Sequence, residues 1–496
     1  MRRQIGLLID RRGRIAYVMV GNYHRIVIPN LDKFRTGGQR LKGLRCVHTH
    51  FKHEALSHDD LMDLTFLRLD LMAAITVREN GHPEKVHVAH LLPEDTRDEN
   101  WELLPPKPPG ELDIDCRRLI RSLESEFASQ LPVQKVKRRG DRAIVVSVST
   151  GPRHEAQAST EELKLLAGTC GIHTVETVIQ RRRSVSARFL MGKGKLSELV
   201  VLALQKGANL LLFDQELNPS QVRSITDCTD LKVIDRTQLI LDIFAQRAQS
   251  REGKIQVELA QLKYLLPRLV GKGTAMSRLT GGIGGRGPGE TKLEMDRRRV
   301  RNRISQLEKL LVDVQKQRSQ RRAKRKKKGV PIVSIVGYTN AGKSTLLNTL
   351  TDSSVLVESK LFATLDPTSR RKRLPKDAEI IVTDTVGFIR KLPRELMTAF
   401  RATLEELKDA DLLIHLIDIS NPGFTGQVES VERILGELHL DRIPMIRVFN
   451  KKDQVTPGTA QRLCHRWNAI AVSANDKSSL GPLLDKIESH VGEGET

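Results

Sequence analysis

Gly337-Tyr338-Thr339-Asn340-Ala341-Gly342-Lys343-Ser344 matches the spacing G-x-x-x-x-G-K-[ST] of a phosphate-binding loop. Its flanks suit that reading. Pro331-Ile332-Val333-Ser334-Ile335-Val336 before it is a short β-branched run typical of a buried strand, and Thr345-Leu346-Leu347-Asn348-Thr349-Leu350 after it opens a helix. Strand, glycine turn and helix N-terminus together make an anion site, because free backbone N–H groups and the helix dipole face the phosphates. Lys343 then reaches the β- and γ-phosphates as a point charge, and the Ser344 hydroxyl supplies a ligand to Mg²⁺.

Three more pieces lie downstream. Asp384-Thr385-Val386-Gly387 follows the apolar run Ile380-Ile381-Val382. A carboxylate at that strand end holds the hydration shell of Mg²⁺, and the Gly387 N–H meets the γ-phosphate. Asn450-Lys451-Lys452-Asp453 follows Met445-Ile446-Arg447-Val448-Phe449. Asp453 there accepts from the N1–H and N2–H₂ edge of guanine, a donor pair that adenine lacks. Sites of that kind discriminate by about 10⁴-fold or more. Ser473-Ala474-Asn475 follows Ile470-Ala471-Val472 and supplies a backbone N–H for the guanine O6. One N-K-x-D alone says little, since turns are rich in Asn and Asp. Four motifs in order, each at the C-terminal end of a strand, are specific. They imply an α/β nucleotide domain with a mostly parallel sheet over 329–496, binding GTP and GDP.

Leu361-Phe362-Ala363-Thr364-Leu365-Asp366-Pro367-Thr368 resembles the first switch of the HflX family of ribosome-associated GTPases. The resemblance implies that Phe362 to Asp366 face the nucleotide and that Thr364 completes the Mg²⁺ shell; Thr368 is the alternative threonine. It implies catalytic roles for Lys343, Thr364 and Gly387. A Ras-type GTPase carries a water-positioning Gln after D-x-x-G, and Phe388 stands there instead. Unassisted turnover is therefore expected near the 10⁻⁴ to 10⁻³ s⁻¹ of switch proteins, about that order, with the ribosome raising it. Asn340 sits where related GTPases use an Asn to help hold K⁺.

A second family signature is Thr280-Gly281-Gly282-Ile283-Gly284-Gly285-Arg286-Gly287-Pro288-Gly289-Glu290-Thr291-Lys292. Gly282, Gly284 and Gly287 spell GxGxxG, but no βαβ unit surrounds them, which excludes a dinucleotide site. Heptads flank the stretch: Ile255, Leu259, Leu262, Leu266 and Leu269 before it, Val300, Ile304, Leu307, Leu311 and Val314 after it. They predict an antiparallel coiled-coil hairpin over 237–328, with Pro267 ending or kinking the first helix. In the resembled family this hairpin reaches the large ribosomal subunit near the peptidyl-transferase centre. That implies RNA contacts at Gly282, Gly284, Gly285, Arg286, Gly287 and Lys292; a plain flexible linker is the other reading.

The net charge of +22 over 496 residues points to a polyanionic partner, because each neutralised phosphate releases counterions. Aromatics at 4% are too sparse for base-stacking platforms. Lys316 to Lys328 carries nine basic residues and no acid, placed to lie on ribosomal RNA or to form a solvated helix end. Five scattered cysteines without CxxC argue against a disulfide framework or a zinc ribbon and fit a cytoplasmic location. No apolar run is long enough to span a membrane, and the apolar core near Ile5 is too short for a signal peptide. A monomer is expected.

Residues 1–104 read as an additional small α/β domain, with strands at Ile15–Val20 and Arg25–Ile28 about a Gly21-Asn22 hairpin turn, and a helix capped by Ser57 or Asp59. His48-Thr49-His50 followed by Ser57 and Asp60 resembles the H-x-H…S-x-x-D motif of JAMM metalloproteases and RadC-like proteins. That resemblance implies His48, His50 and Asp60 as metal ligands. The His50–Ser57 gap is one residue short, and no glutamate precedes Glu54, so a degenerate domain or an unrelated scaffold compete with a metal-dependent hydrolase. The proline-rich Leu104 to Gly110 predicts a semi-rigid spacer within a 105–135 linker.

Residues 136–236 alternate strand and helix, which implies a parallel sheet. Ser159 and Glu162 stand in capping-box register, and Phe189-Leu190-Met191-Gly192-Lys193-Gly194-Lys195 resembles a glycine-lysine element of the HflX amino-terminal domain. Many HflX proteins carry a small domain after the last helix, and this sequence stops there. The family resemblance, which spans roughly 135–490, implies a large-subunit-binding GTPase that splits or rescues stalled or idle ribosomes under stress. The alternative is an RNA- or tRNA-modification GTPase.

Overall fold

The computed structural model describes residues 3–23, 26–29, 31, 41–51, 54–92, 101–129, 140–229, 231–269, 292–326, 330–351, 362, 368–375, 377–390 and 405–492. The chain divides into two compact units, Met1–Arg236 and Thr237–Thr496.

The first unit holds two sheets. One has six strands: β1 (Ile5–Asp10), β2 (Ile15–Val20), β3 (Leu44–His50), β4 (Leu71–Val77), β5 (Pro83–Leu91) and β6 (Trp101–Lys107), in the order β2-β1-β3-β4-β5-β6. Helix α1 (His58–Phe66) links β3 to β4, the parallel pair of this sheet. Ser57 caps α1 in a full capping box with Asp60. Of the hairpin expected at Gly21-Asn22, the described residues 26–29 form no strand. β2 pairs instead with β1 through the turn after Asp10, where Gly13 takes φ +86°.

The expected spacer is also absent. Leu104 to Lys107 belong to β6, which pairs antiparallel with β5 as an edge strand, and the register shifts between Val86 and Val88. Prolines are tolerated at an irregular edge, where no ladder donor is needed. Helix α2 (Cys116–Ser129) then buries Ile120, Leu123 and Phe127 in the same core as Leu8, Leu44 and Leu64. Arg11 fastens it, with Nε 2.7 Å from Asp70 and Nη2 2.8 Å from Glu124.

The second sheet is all parallel, as alternation predicts: β7 (Arg142–Ser149), β8 (His173–Arg181), β9 (Leu210–Phe213) and β10 (Lys232–Asp235), in the order β10-β9-β7-β8. Its helices are α3 (Arg153–Thr169), α4 (Lys193–Lys206) and α5 (Pro219–Thr226). Helix α3 begins six residues before the predicted capping box. Ser159 is therefore interior and donates to Asp214 Oδ1 at 2.8 Å, while Glu162 pairs with Arg236. Val201 and Leu204 of α4 join the core of the first sheet, so the two layers share hydrophobic contacts.

In the second unit, helix α6 (Arg236–Arg247) precedes α7 (Arg251–Leu265), which ends in a 3₁₀ turn at Leu266–Leu269, where Pro267 was expected to stop it. Helix α8 (Lys292–Lys326) packs on α7 through Ile255, Leu259, Leu262, Ile304, Leu307 and Leu311, six of the predicted heptad positions. Arg303–Glu258 and Lys263–Glu308 ion pairs, both at 2.7 Å, link the two helices. The glycine-rich stretch from Thr280 to Thr291, with Gly282, Gly284, Gly285, Arg286 and Gly287, lies outside the described residues, and Lys292 opens α8.

The third sheet comprises β11 (Ile332–Gly337), β12 (Thr368–Arg373), β13 (Glu379–Asp384), β14 (Leu412–Asp418), β15 (Met445–Asn450) and β16 (Ala469–Ala471), in the order β12-β13-β11-β14-β15-β16. Only the β12 edge is antiparallel. Helices α9 (Lys343–Thr351), α10 (Phe424–Glu437), α11 (Pro457–Trp467) and α12 (Gly481–Gly492) accompany it. Leu346, Leu347, Leu350, Leu483 and Ile487 cover an apolar sheet built from Val333, Ile335, Val382, Ile414 and Val448. The C-terminal ends of β11, β13, β14 and β15 thus come to one edge, where Asp418 and Asn450 are register partners and Gly337 and Asp384 end the two neighbouring strands.

Candidate functional site

That edge carries the motifs. β11 ends at Gly337, the loop Tyr338–Gly342 turns, and α9 starts at Lys343. Gly342 has φ +95°, and a Cβ there would lie 2.3 Å from Asn450 Nδ2, so conformation and space both demand glycine. Lys343 folds back over the loop, its Nζ donating to the carbonyls of Tyr338 at 2.9 Å and Gly337 at 3.2 Å. Burial pushes its ammonium down to about 8, against the pull of Asp384. A polyphosphate brought beside it favours the charged form again.

The Ser344 hydroxyl donates to Asp384 Oδ2 at 2.6 Å. This pair sets a hydroxyl and a buried carboxylate side by side beneath the loop. Such an all-oxygen donor set suits a hard cation such as Mg²⁺, which keeps most of its waters and takes few protein ligands. Thr385 Oγ1 donates to the Ile335 carbonyl at 2.7 Å and locks the end of β13 to β11.

The segment after Asp384 is stitched to the phosphate loop. Phe388 N donates to the Gly337 carbonyl at 3.1 Å, and Thr339 N donates to the Phe388 carbonyl at 2.8 Å. Arg390 N donates to Tyr338 Oη at 2.7 Å. Gly387 has no room for a side chain, since a Cβ would stand 2.7 Å from Thr339 Cγ2 and 3.0 Å from Lys343 Nζ. Phe388 is almost fully buried, so it is a packing residue, and it offers no polar group to a water.

Asn450 forms the strut on the base side. Its Nδ2 donates to the Ala341 carbonyl at 2.7 Å and its Oδ1 accepts from Ala474 N at 2.8 Å. One buried amide therefore ties the phosphate loop to the Ser473-Ala474-Asn475 loop. Lys451, at φ +60°, reaches back to Asp418 Oδ2 at 2.6 Å. Lys452 and Asp453 lie in a short 3₁₀ turn, with Asp453 exposed. Ser473 is held by Ser479, whose Oγ accepts from its N at 3.0 Å and donates to its carbonyl at 3.1 Å. Thr345 lies in the first turn of α9, and Asn340 stands exposed at φ +64°.

The first-switch residues Ala363, Thr364, Leu365 and Asp366 lie outside the described residues. Phe362, just before them, is buried at φ +58° and packs edge-to-face on Phe244 of α6, centroids 4.6 Å apart. Phe244 and Asp418 are participants that motif reading passes over. Their sequence signals are slight: Asp418 ends an apolar strand run, while Phe244 looks like an ordinary core residue. In the first unit His48, His50 and Asp60 do converge: Asp60 Oδ1 is 3.3 Å from His48 Nε2 and Oδ2 is 3.4 Å from His50 Nε2.

Family models match three consecutive stretches: GTP-binding GTPase N-terminal over 157–245, GTP-binding GTPase Middle Region over 247–325, and 50S ribosome-binding GTPase over 332–451. A GTPase HflX of Caldanaerobacter subterraneus subsp. tengcongensis is 48% identical over 358 residues, covering 72% of this chain and 82% of that protein. The chain belongs to the HflX family of GTPases. It binds GTP and hydrolyses it. The GTPase HflX of Escherichia coli strain K12 is 45% identical over 316 residues, 64% of this chain and 74% of that protein. Among solved structures, a GTP-binding protein from Sulfolobus solfataricus in complex with GDP aligns at 24% identity over 71% of this chain and 99% of that chain, with a TM-score of 0.40. The described residues contain no helix long and apolar enough to cross a membrane.

Proposed function

We propose that this chain is a cytoplasmic GTP-driven factor for the large ribosomal subunit, which it engages in the GTP state to split or rescue stalled or idle ribosomes. The reading rests on the match of residues 332–451 to a family described as 50S ribosome-binding GTPase. The +22 charge and the nine cations from Lys316 to Lys328 support an rRNA partner, with Gly282, Gly284, Gly285, Arg286, Gly287 and Lys292 as candidate RNA contacts.

In this reading the N–H groups from Gly337 to Thr345 cradle the phosphates, and Lys343 moves from the Gly337 and Tyr338 carbonyls to the β- and γ-phosphates. Ser344 and Thr364 would hold Mg²⁺, with Asp384 orienting its waters; the ion supplies charge neutralisation on the β- and γ-oxygens. Gly387 N–H meets the γ-phosphate as Phe388 lets go of Gly337. Asp453 accepts from guanine N1–H and N2–H₂, and a backbone N–H of the Ser473-Ala474-Asn475 loop meets O6. Because Phe388 cannot orient water, hydrolysis is slow until the ribosome orders the switch segments. Asn340 helps to hold K⁺ beside the phosphates.

Co-sedimentation with large subunits tests the partner. Binding with a non-hydrolysable GTP analogue and release with GDP are expected, with affinity falling as salt rises. Equal pelleting in both states, or none, overturns the reading.

A further inference from the structure

His48 and His50 sit two apart on β3 and so point to the same face, nearly fully buried. Asp60 approaches from the first turn of α1. Nothing in the nucleotide chemistry uses these three groups. His50 Nδ1 lies 3.2 Å from the Glu54 carbonyl and 3.1 Å from the Ala55 carbonyl, and carbonyls only accept, so that nitrogen carries the proton. The Nε2 of a neutral His50 is then a bare lone pair. It faces His48 Nε2 at 2.9 Å and the Asp60 carboxylate. Three electron-pair donors from two elements thus converge on one point.

Geometry gives that point a size. A tetrahedral Zn²⁺ with bonds of about 2.0–2.1 Å sets its ligand atoms about 3.3–3.4 Å apart. The two His–Asp separations, 3.3 Å to Oδ1 and 3.4 Å to Oδ2, involve different carboxylate oxygens, so one of them becomes the ligand as the carboxylate and the two rings, 2.9 Å apart at Nε2, open around the ion; one donor atom from each residue lies within 4.8 Å of the others. The outer shell is built for two of the three ligands, while His48 Nδ1 is buried without a hydrogen-bond partner among the described residues. Ser57 N and Oγ donate to Asp60 Oδ2 at 2.8 and 2.6 Å, and the Glu54 and Ala55 carbonyls fix the His50 ring. Two imidazoles and one carboxylate suit a borderline cation of the Zn²⁺ class and disfavour Mg²⁺ or Ca²⁺, which prefer oxygen alone.

We propose that His48, His50 and Asp60 bind one Zn²⁺-class cation, and that the ion clamps the N-terminus of α1 to β3. The role is to hold a surface. Gly6 stands opposite His48 on β1, and the one carboxylate of that strand, Asp10, pairs with Leu44 at its far end, so the strand brings no general base to the site. The other face of α1 does carry a contact. Met62 and Phe66 enter the core formed with Leu196, Leu199 and Ala203 of α4, and Asp59 pairs with Lys193 at 3.2 Å. Fixing Asp60 therefore fixes the helix on which the second α/β layer of this unit rests.

The test uses the full-length protein, stripped with EDTA in the presence of GDP, reloaded with Zn²⁺ or Co²⁺ and desalted. Expected are one equivalent of retained metal, visible bands of tetrahedral Co²⁺, and slower amide exchange over 58–66 in the loaded form. His50→Gln and Asp60→Asn each lose the equivalent and the bands while still binding GDP. If a variant fails to fold, the wild-type stoichiometry, spectrum and exchange decide alone. Folded wild type that retains no metal, or metal retained by both folded variants, overturns the site. Metal uptake with unchanged exchange over 58–66 overturns the clamp.

Discussion

Asn450→Ala removes the amide that ties two loops of the nucleotide site together. The Ala341 carbonyl loses a donor at 2.7 Å and the Ala474 N–H loses an acceptor at 2.8 Å. Asn450 is about 2% exposed, so water does not readily replace it. A buried polar group stranded in this way costs about 1–3 kcal/mol, hence about 2–6 kcal/mol for the two. That cost divides between stability and the ordering of both loops on the nucleotide. Even about 2 kcal/mol spent on ordering is a roughly thirtyfold loss of affinity. Calorimetric titration with GDP, paired with a thermal melt, reads both shares. Asn450→Asp keeps the oxygen that accepts from Ala474 but sets a carboxylate oxygen against the Ala341 carbonyl, so it is expected to be no milder. Wild-type affinity together with a wild-type melt for Asn450→Ala would refute the strut.

Three further outcomes follow from particular contacts. His415 is buried beside β11, and burial, with Arg447 and Lys343 adding to it, pushes its imidazole down to about 3. Its folded value lies below the unfolded 6.5, so the stability gained by keeping it neutral is intact above about pH 6.5 and is lost as pH falls toward 3. Urea melts should show about 2 kcal/mol lost from this group between pH 6.5 and 5, at about 1.4 kcal/mol per unit, and a shallower slope in His415→Leu. Phe244→Ala removes the ring on which Phe362 packs; a loss of about 3–5 kcal/mol by denaturant melt and faster release of labelled GDP are expected, and an unchanged release rate would separate α6 from the first switch. GTP turnover should be faster in KCl than in NaCl, and equal rates would remove Asn340 from ion binding.

The nucleotide domain was legible because its chemistry is demanding at fixed spacing. A phosphate loop needs glycine where Gly342 adopts φ +95°, and strand ends need polar residues just where apolar runs stop. The coiled helices were legible from period alone, since Ile255, Leu259, Ile304 and Leu307 have no other reason to recur as they do. The first domain resisted. Pro105-Pro106 reads as a spacer until the edge position of β6 is known, and edge position is a tertiary fact. The capping register of Ser159 was a coincidence of local sequence, overridden by a helix that starts at Arg153 so that Ser159 can meet Asp214. Asn450 was visible as part of N-K-x-D, but its tie between loops 109 and 24 residues away needed the fold.

Base choice at the edge of the third sheet is the point on which the remaining chemistry turns. Titration of the wild type with GTP and ATP, and of Asp453→Asn with GTP and xanthosine triphosphate, measures it directly. Xanthine carries an oxygen where guanine carries its 2-amino group, so an amide that donates should favour it. The account predicts GTP over ATP by about 10⁴ or more in the wild type and a preference moved to xanthosine triphosphate in the variant. Comparable binding of ATP, or an unaltered preference for GTP in Asp453→Asn, would contradict it.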